Sequence, residues 1–99
     1  MFGFDQEKLM KQMQIAIEES KNRLENITVI GDAGGGLITI EMNGNKKIKS
    51  VSIHTELSMI DKEDLEDLLT VSLAKALEKA EEINQLEMSK STSPFLPNF

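Results

Sequence analysis

From Asp5 to Asn26 the chain contains neither glycine nor proline, and Met10, Met13, Ile17, Ser20, Leu24 and Ile27 recur at alternating intervals of three and four. Residues at those intervals share one face of an α-helix, so the pattern predicts an amphipathic helix of about 20 residues, roughly 30 Å long. Lys8, Lys11, Ile15, Glu18 and Asn22 point away from that stripe, because each residue turns the helix by about 100°. The period then changes. Three short β-branched runs, "ITVI" (27–30), "LITIEMN" (37–43) and "IKSVSI" (48–53), are separated by "GDAGGG" (31–36) and "GNKK" (44–47), which predicts three strands. In the middle run Ile38, Ile40 and Met42 alternate with Leu37, Thr39 and Glu41, so one face is apolar. Asn43 and Gly44 tolerate positive φ, and a hairpin is expected between the second and third strands.

Beyond "HTELSMI" a second helical pattern begins. Asp61 is a candidate N-cap, and Glu63, Asp64, Glu66 and Asp67 put negative charge at the positive end of the helix dipole. Leu65, Leu69, Leu73, Ala76, Leu77, Ala80 and Ile83 form a broad stripe, widened by Leu68 and Leu86. Within it Ser72, Ala76 and Ala80 make a row of small side chains that lets another element come close. The helix is expected to reach about Met88, near 40 Å. The remaining "SKSTSPFLPNF" is rich in Ser and Pro and reads as an extended or disordered tail, with Phe95, Leu96 and Phe99 apolar enough to dock on a groove. This order defines an α+β chain, with one domain over residues 1–88 and a tail over 89–99.

Lengths add a further expectation. Strands of about six residues span about 20 Å, so both helices overhang the sheet. The overhanging positions remain apolar, Met10 and Met13 in one helix, Ala80 and Ile83 in the other. With open sheet edges as well, a homodimer with projecting helical arms is expected.

Composition narrows the function classes. With 99 residues and no cysteine, the chain has room for one domain, held by neither disulfides nor thiolate metal sites. "MFGFDQEKLMK" lacks the basic start and apolar run of an export signal, and no apolar stretch approaches the roughly 20 residues that span a bilayer. A soluble cytoplasmic protein is expected. The net charge of −6 is uneven: residues 1–54 carry seven Lys/Arg against seven Asp/Glu, and residues 55–99 carry four against ten. An anionic partner is therefore to be sought on the first half.

Four glycines in "GDAGGG" invite comparison with a phosphate-binding loop. Such a loop ends in Gly-Lys-Ser/Thr and opens a helix, whereas Gly36 is followed by Leu37-Ile38-Thr39 and a strand; a dinucleotide fingerprint built on Gly34 and Gly36 would need a glycine where Thr39 stands. The cluster reads as a tight strand connection. His54, the only histidine, lacks the partners of a metal site or triad and reads as a polar residue closing the third strand. The acidic run 61–67 lacks the spacing of an EF-hand. No enzymatic activity, cofactor, metal or small-molecule substrate is expected. What remains is basic: Lys46, Lys47 and Lys49 at one hairpin, Lys8 and Lys11 on the outer face of the first helix, Lys21 and Arg23 along its flanks. Such clusters are commonly solvated surface, and with neither Tyr nor Trp there is no such platform for stacking single-stranded bases.

"VIGDAGGGLITIEMNGNKKIKSVSI" resembles the signature of the YbaB/EbfC family of bacterial nucleoid-associated proteins, which carries a Gly-acidic-Ala-Gly-Gly-Gly turn, an Asn-Gly hairpin and a strand with a Lys-Ser-Val core. "MFG", "LMKQMQ", "DKEDLEDLL" and "ALEKAEE" resemble further family segments in the same order, so the resemblance spans nearly the whole chain. It implies an α-β-β-β-α protomer, a tweezer-like homodimer, and binding of duplex DNA in nucleoid organisation or gene regulation, without catalysis. Contacts on the helical arms and nearby loops would here mean Lys8, Lys11, Lys21 and Arg23, together with the hairpin residues Lys46, Lys47 and Lys49. The chain departs from the family where Lys46-Lys47 replace a common Gly-Glu and where His54-Thr55 replace Asp-Pro. A rival reading is a protein-interaction module that recruits a partner through the acidic second helix and the tail.

Overall fold

The computed structural model describes residues 5–92, in the order α1 (Gln6–Glu25), β1 (Thr28–Ala33), β2 (Ile38–Asn43), β3 (Ile48–Ile53), a 3-10 turn (Leu57–Met59) and α2 (Lys62–Thr92). This is the expected α-β-β-β-α chain. Asp5 caps α1, its carboxylate accepting from the Lys8 N–H at 3.2 Å, and Arg23 stands in the last turn, so both ends suit the helix dipole. At 31 residues α2 runs past Met88, and the hydroxyls of Ser91 and Thr92 donate to the Met88 carbonyl at 3.0 and 2.9 Å. Phe95, Leu96 and Phe99 lie outside the described residues.

The strands form an antiparallel sheet in the order β1-β2-β3, with Gly31 opposite Ile40 and Ile40 opposite Val51. Alternation then puts Val29, Gly31, Ala33, Ile38, Ile40 and Met42 on one face, and α2 lies across that face over β1 and β2. Val29, Ile40, Met42, Ala76 and Ala80 make the core, flanked by Ile27 and Ile83. Ser72, Ala76 and Ala80 are fully buried, the expected use of a small-residue row.

The glycine cluster divides in two. Gly31, Asp32 and Ala33 belong to β1, and only Gly34, Gly35 and Gly36 turn the chain, at φ of 66°, 67° and 92°. Gly31 serves a different end: a Cβ there would run into the Ser72 carbonyl and the Ala76 N–H, so the bare backbone admits the helix. Gly44 acts likewise, since a Cβ would meet Leu24 Cδ2 at 2.6 Å. The left-handed residue of the hairpin is Lys46, at φ 66°, instead of Asn43 or Gly44.

Candidate nucleic-acid interface

The β2–β3 hairpin wedges between the two helices. Asn43 Oδ1 accepts from the Asn45 and Lys47 N–H groups at 2.9 and 3.1 Å, which shapes the loop. Asn45 Nδ2 then donates to the Lys21 carbonyl at 2.9 Å and to Glu25 Oε2 at 2.7 Å, and the Gly44 N–H donates to the Leu24 carbonyl at 2.9 Å. On the other side Asn84 Nδ2 donates to the Gly44 carbonyl at 2.9 Å. As α1 passes from Ser20 to Leu24, its neighbours on α2 pass from Glu87 back towards Asn84, so the helices run antiparallel. The first turns of α1 extend roughly 13 Å past the level of Thr92, from the rise of 1.5 Å per residue. Lys8 and Lys11 stand on this projecting end, where Met10 is exposed.

Three of the seven candidate cations have a carboxylate partner within the chain. Arg23 Nε meets Glu87 Oε1 at 2.6 Å while Arg23 Nη2 donates to Ser20 Oγ at 3.0 Å; Lys46 meets Glu81 at 2.9 Å; Lys47 meets Glu25 at 3.5 Å. The pKa of each carboxylate is lowered accordingly: Glu87 by the hydrogen bond from Arg23, Glu81 by that from Lys46, and Glu25 first by Asn45 and then by Lys47. These cations fasten the hairpin and α2 to α1. Lys8, Lys11, Lys21 and Lys49 have no carboxylate at ion-pair distance among the described residues.

The fold also gathers cations that the first-half charge balance leaves out. Lys75, Lys79 and Lys90 lie on α2 within a sector of about 60°, and none is paired with a carboxylate among the described residues. The excess of acids in the second half hides them from a charge count; a helical projection finds them. Lys79 Nζ donates to the Ile30 carbonyl at 2.7 Å and Lys49 Nζ to Thr28 Oγ1 at 2.6 Å. His54 closes β3, its N–H on the Leu37 carbonyl at 2.7 Å and its Nε2 3.1 Å from Thr39 Oγ1.

A cleft of about 310 Å³ opens between Leu37, Ile60, Leu68 and the carboxylates Asp64 and Asp67. Its rim repels phosphate. Among the described residues no three His, Asp or Glu side chains converge as a metal site, and no helix is long and apolar enough to cross a membrane.

A three-stranded sheet with one face under α2, and α1 antiparallel along α2 with its first turns projecting, defines a class of small α+β proteins. Residues 3–95 match the YbaB/EbfC DNA-binding family. A nucleoid-associated protein of Francisella tularensis subsp. holarctica (strain FTNF002-00 / FTA) is 40% identical over 104 aligned positions, covering 97% of this chain and 93% of that one. Another, from F. tularensis subsp. novicida (strain U112), is 44% identical over 83, covering 81% and 74%. The crystal structure of an uncharacterised Helicobacter pylori protein, HP0035, superposes with a TM-score of 0.78 at 19% identity, covering 91% of this chain and 98% of that one, a likeness of fold. The chain belongs to the YbaB/EbfC DNA-binding family, a family of nucleic-acid binders and not of enzymes.

Proposed function

We propose that this protein binds duplex DNA in the nucleoid as a homodimer with weak sequence preference, and so acts in nucleoid organisation and gene regulation. The observation that carries this reading is the match of residues 3–95 to a DNA-binding family. Supporting it, Lys8 and Lys11 on the projecting end of α1, and Lys21 further along the helix, are exposed and have no carboxylate at ion-pair distance among the described residues. Arg23, Lys46 and Lys47 are assigned first to the scaffold, because each has a carboxylate partner on another element.

The dimer rests on an uncovered apolar surface. Ile40 and Ile38 face Val51 and Ile53 across the sheet, so these β3 residues share the face that α2 covers over β1 and β2. Leu73 and Leu77 lie on the flank of α2 turned toward β3, the side on which Glu81 meets Lys46 of the β2–β3 hairpin. Ile48, Val51, Ile53, Leu73 and Leu77 are all between 38% and 53% exposed. A second copy, bringing an equal patch across a twofold axis, closes this groove. The β3 edge beside it is available for pairing, whereas Lys79 occupies the β1 edge.

At −6 per chain the dimer carries −12, so attraction to DNA must be local and through the phosphates. Contacts to 4–6 phosphates would give a log-log salt slope of about −4 to −5, and backbone contacts carry little sequence information. A salt titration of duplex binding with wild type and a Lys8→Gln/Lys11→Gln/Lys21→Gln variant tests the assignment: the variant is expected to bind more weakly with a shallower slope, and equal curves would overturn it.

A further inference from the structure

Lys49 and Lys79 reach β1 from different elements. Lys49 leaves β3 next to a register shift at Glu41/Met42 and reaches Thr28 Oγ1; Lys79 descends from α2 and reaches the Ile30 carbonyl. Their acceptors belong to residues two apart on β1, about 7 Å along it, and because Thr28 Oγ1 lies on the sheet face turned away from α2, the two ammoniums flank the β1 edge from opposite faces. Each ammonium spends one donor there and keeps two, and no carboxylate pairs with either among the described residues.

The backbone of β1 adds to this. The His54 N–H bonds to the Leu37 carbonyl, so Leu37, Thr39, Glu41 and Asn43 turn their main-chain groups to β3, while Ile38, Ile40 and Met42 turn theirs to Ala33, Gly31 and Val29 of β1. Thr28, Ile30 and Asp32 therefore direct their N–H groups outward, away from the sheet. The Ile30 N–H stands beside its own carbonyl, which Lys79 occupies. A lysine on an edge carbonyl by itself is a guard against strand pairing. Two unneutralised ammoniums brought to one edge beside an outward N–H make a surface for an anion. Asp32, next along the edge, bounds it on one side.

We propose that the outer edge of β1 is a second phosphate-contacting surface, with Lys49 and Lys79 holding the phosphodiester backbone of the duplex gripped by the α1 arms. This rests on the proposed DNA binding and extends the footprint from the arms to the body. Lys75, one turn before Lys79 on α2, continues the surface along the helix.

The test is fluorescence anisotropy of a labelled duplex titrated at several salt concentrations with wild type, Lys49→Gln/Lys79→Gln, and the arm variant. Two lost phosphate contacts should make the slope shallower by about 1.8 and weaken binding roughly 60-fold at 0.1 M salt. Wild-type affinity and slope in the edge variant, alongside weakened binding in the arm variant, would overturn this inference and leave the proposed function standing. Absence of wild-type binding at low salt would overturn both. Should the edge variant melt early, Lys49→Gln and Asp32→Asn decide the matter: the first is expected to weaken binding and the second to strengthen it, and no change in either overturns the proposal.

Discussion

Gly31 carries no side chain, and α2 uses that absence to lie directly on β1. Its φ is not in the left-handed region, so the requirement is purely one of space. Gly31→Ala would press a methyl against backbone atoms of Ser72 and Ala76, which cannot rotate away as a side-chain tip can. The expected cost is about 3 kcal/mol, at the upper end for overpacking. Denaturant unfolding checks it, and a loss below about 1 kcal/mol would mean that the helix shifts freely. By contrast Gly35→Ala meets no atom and bears only the strain of φ 67°. Half of this was legible beforehand: three of the four clustered glycines make the turn that their density implies. The role of Gly31 was not, because its neighbours on α2 are more than forty positions away. The same holds for the cations. Arg23, Lys46 and Lys47 read as unpaired cations along the sequence, because their partners Glu87, Glu81 and Glu25 stand 64, 35 and 22 positions distant.

At the scale of elements, both helices and all three strands follow from periodicity, since a stripe at intervals of three and four or an alternation of two needs no distant information. Their boundaries moved where tertiary contact extended them: β1 continues into the glycines because α2 covers Gly31 and Ala33. What joins the elements is polar. The carboxylates of Glu25, Glu81 and Glu87 sit below their usual value of 4.5 because partners on other elements donate to them. A carboxylate with a lowered folded-state pKa adds stability above its unfolded pKa, and that stability is lost as pH falls through the folded value. Acidification below about pH 4.5 should therefore loosen the hairpin and the helix pair. Glu87→Gln is expected to be less stable at neutral pH and to lose less on acidification than wild type, as thermal melts across that range would record; parallel curves would refute this role for the Arg23–Glu87 pair. Asn45→Ala, which removes the bonds to Lys21 and Glu25, should cost about 1 kcal/mol.

The described residues extend 72 × 25 × 16 Å, too elongated for one chain to bury all its apolar faces. The stripe on α2 is broader than β1 and β2 can cover, and Leu73 and Leu77 are the part of its remainder that flanks β3. If a second copy takes up that remainder, the two α1 arms become fixed relative to each other, and DNA binding becomes bivalent. A duplex held by one arm meets the other at high effective concentration, which raises affinity by about 10²–10⁴-fold without any new kind of contact. Val51→Glu/Leu77→Glu places two carboxylates in the groove of each protomer, and on association they would be desolvated without partners. The variant is expected to sediment as a monomer and to keep its fold, because both positions are already part-exposed in the single chain. Its DNA affinity should fall by about 100-fold, and its salt slope should drop to roughly half of wild type, since each arm then neutralises its own phosphates alone. Wild-type affinity in a proven monomer would show that one chain suffices for binding, and the paired arms would then need another explanation.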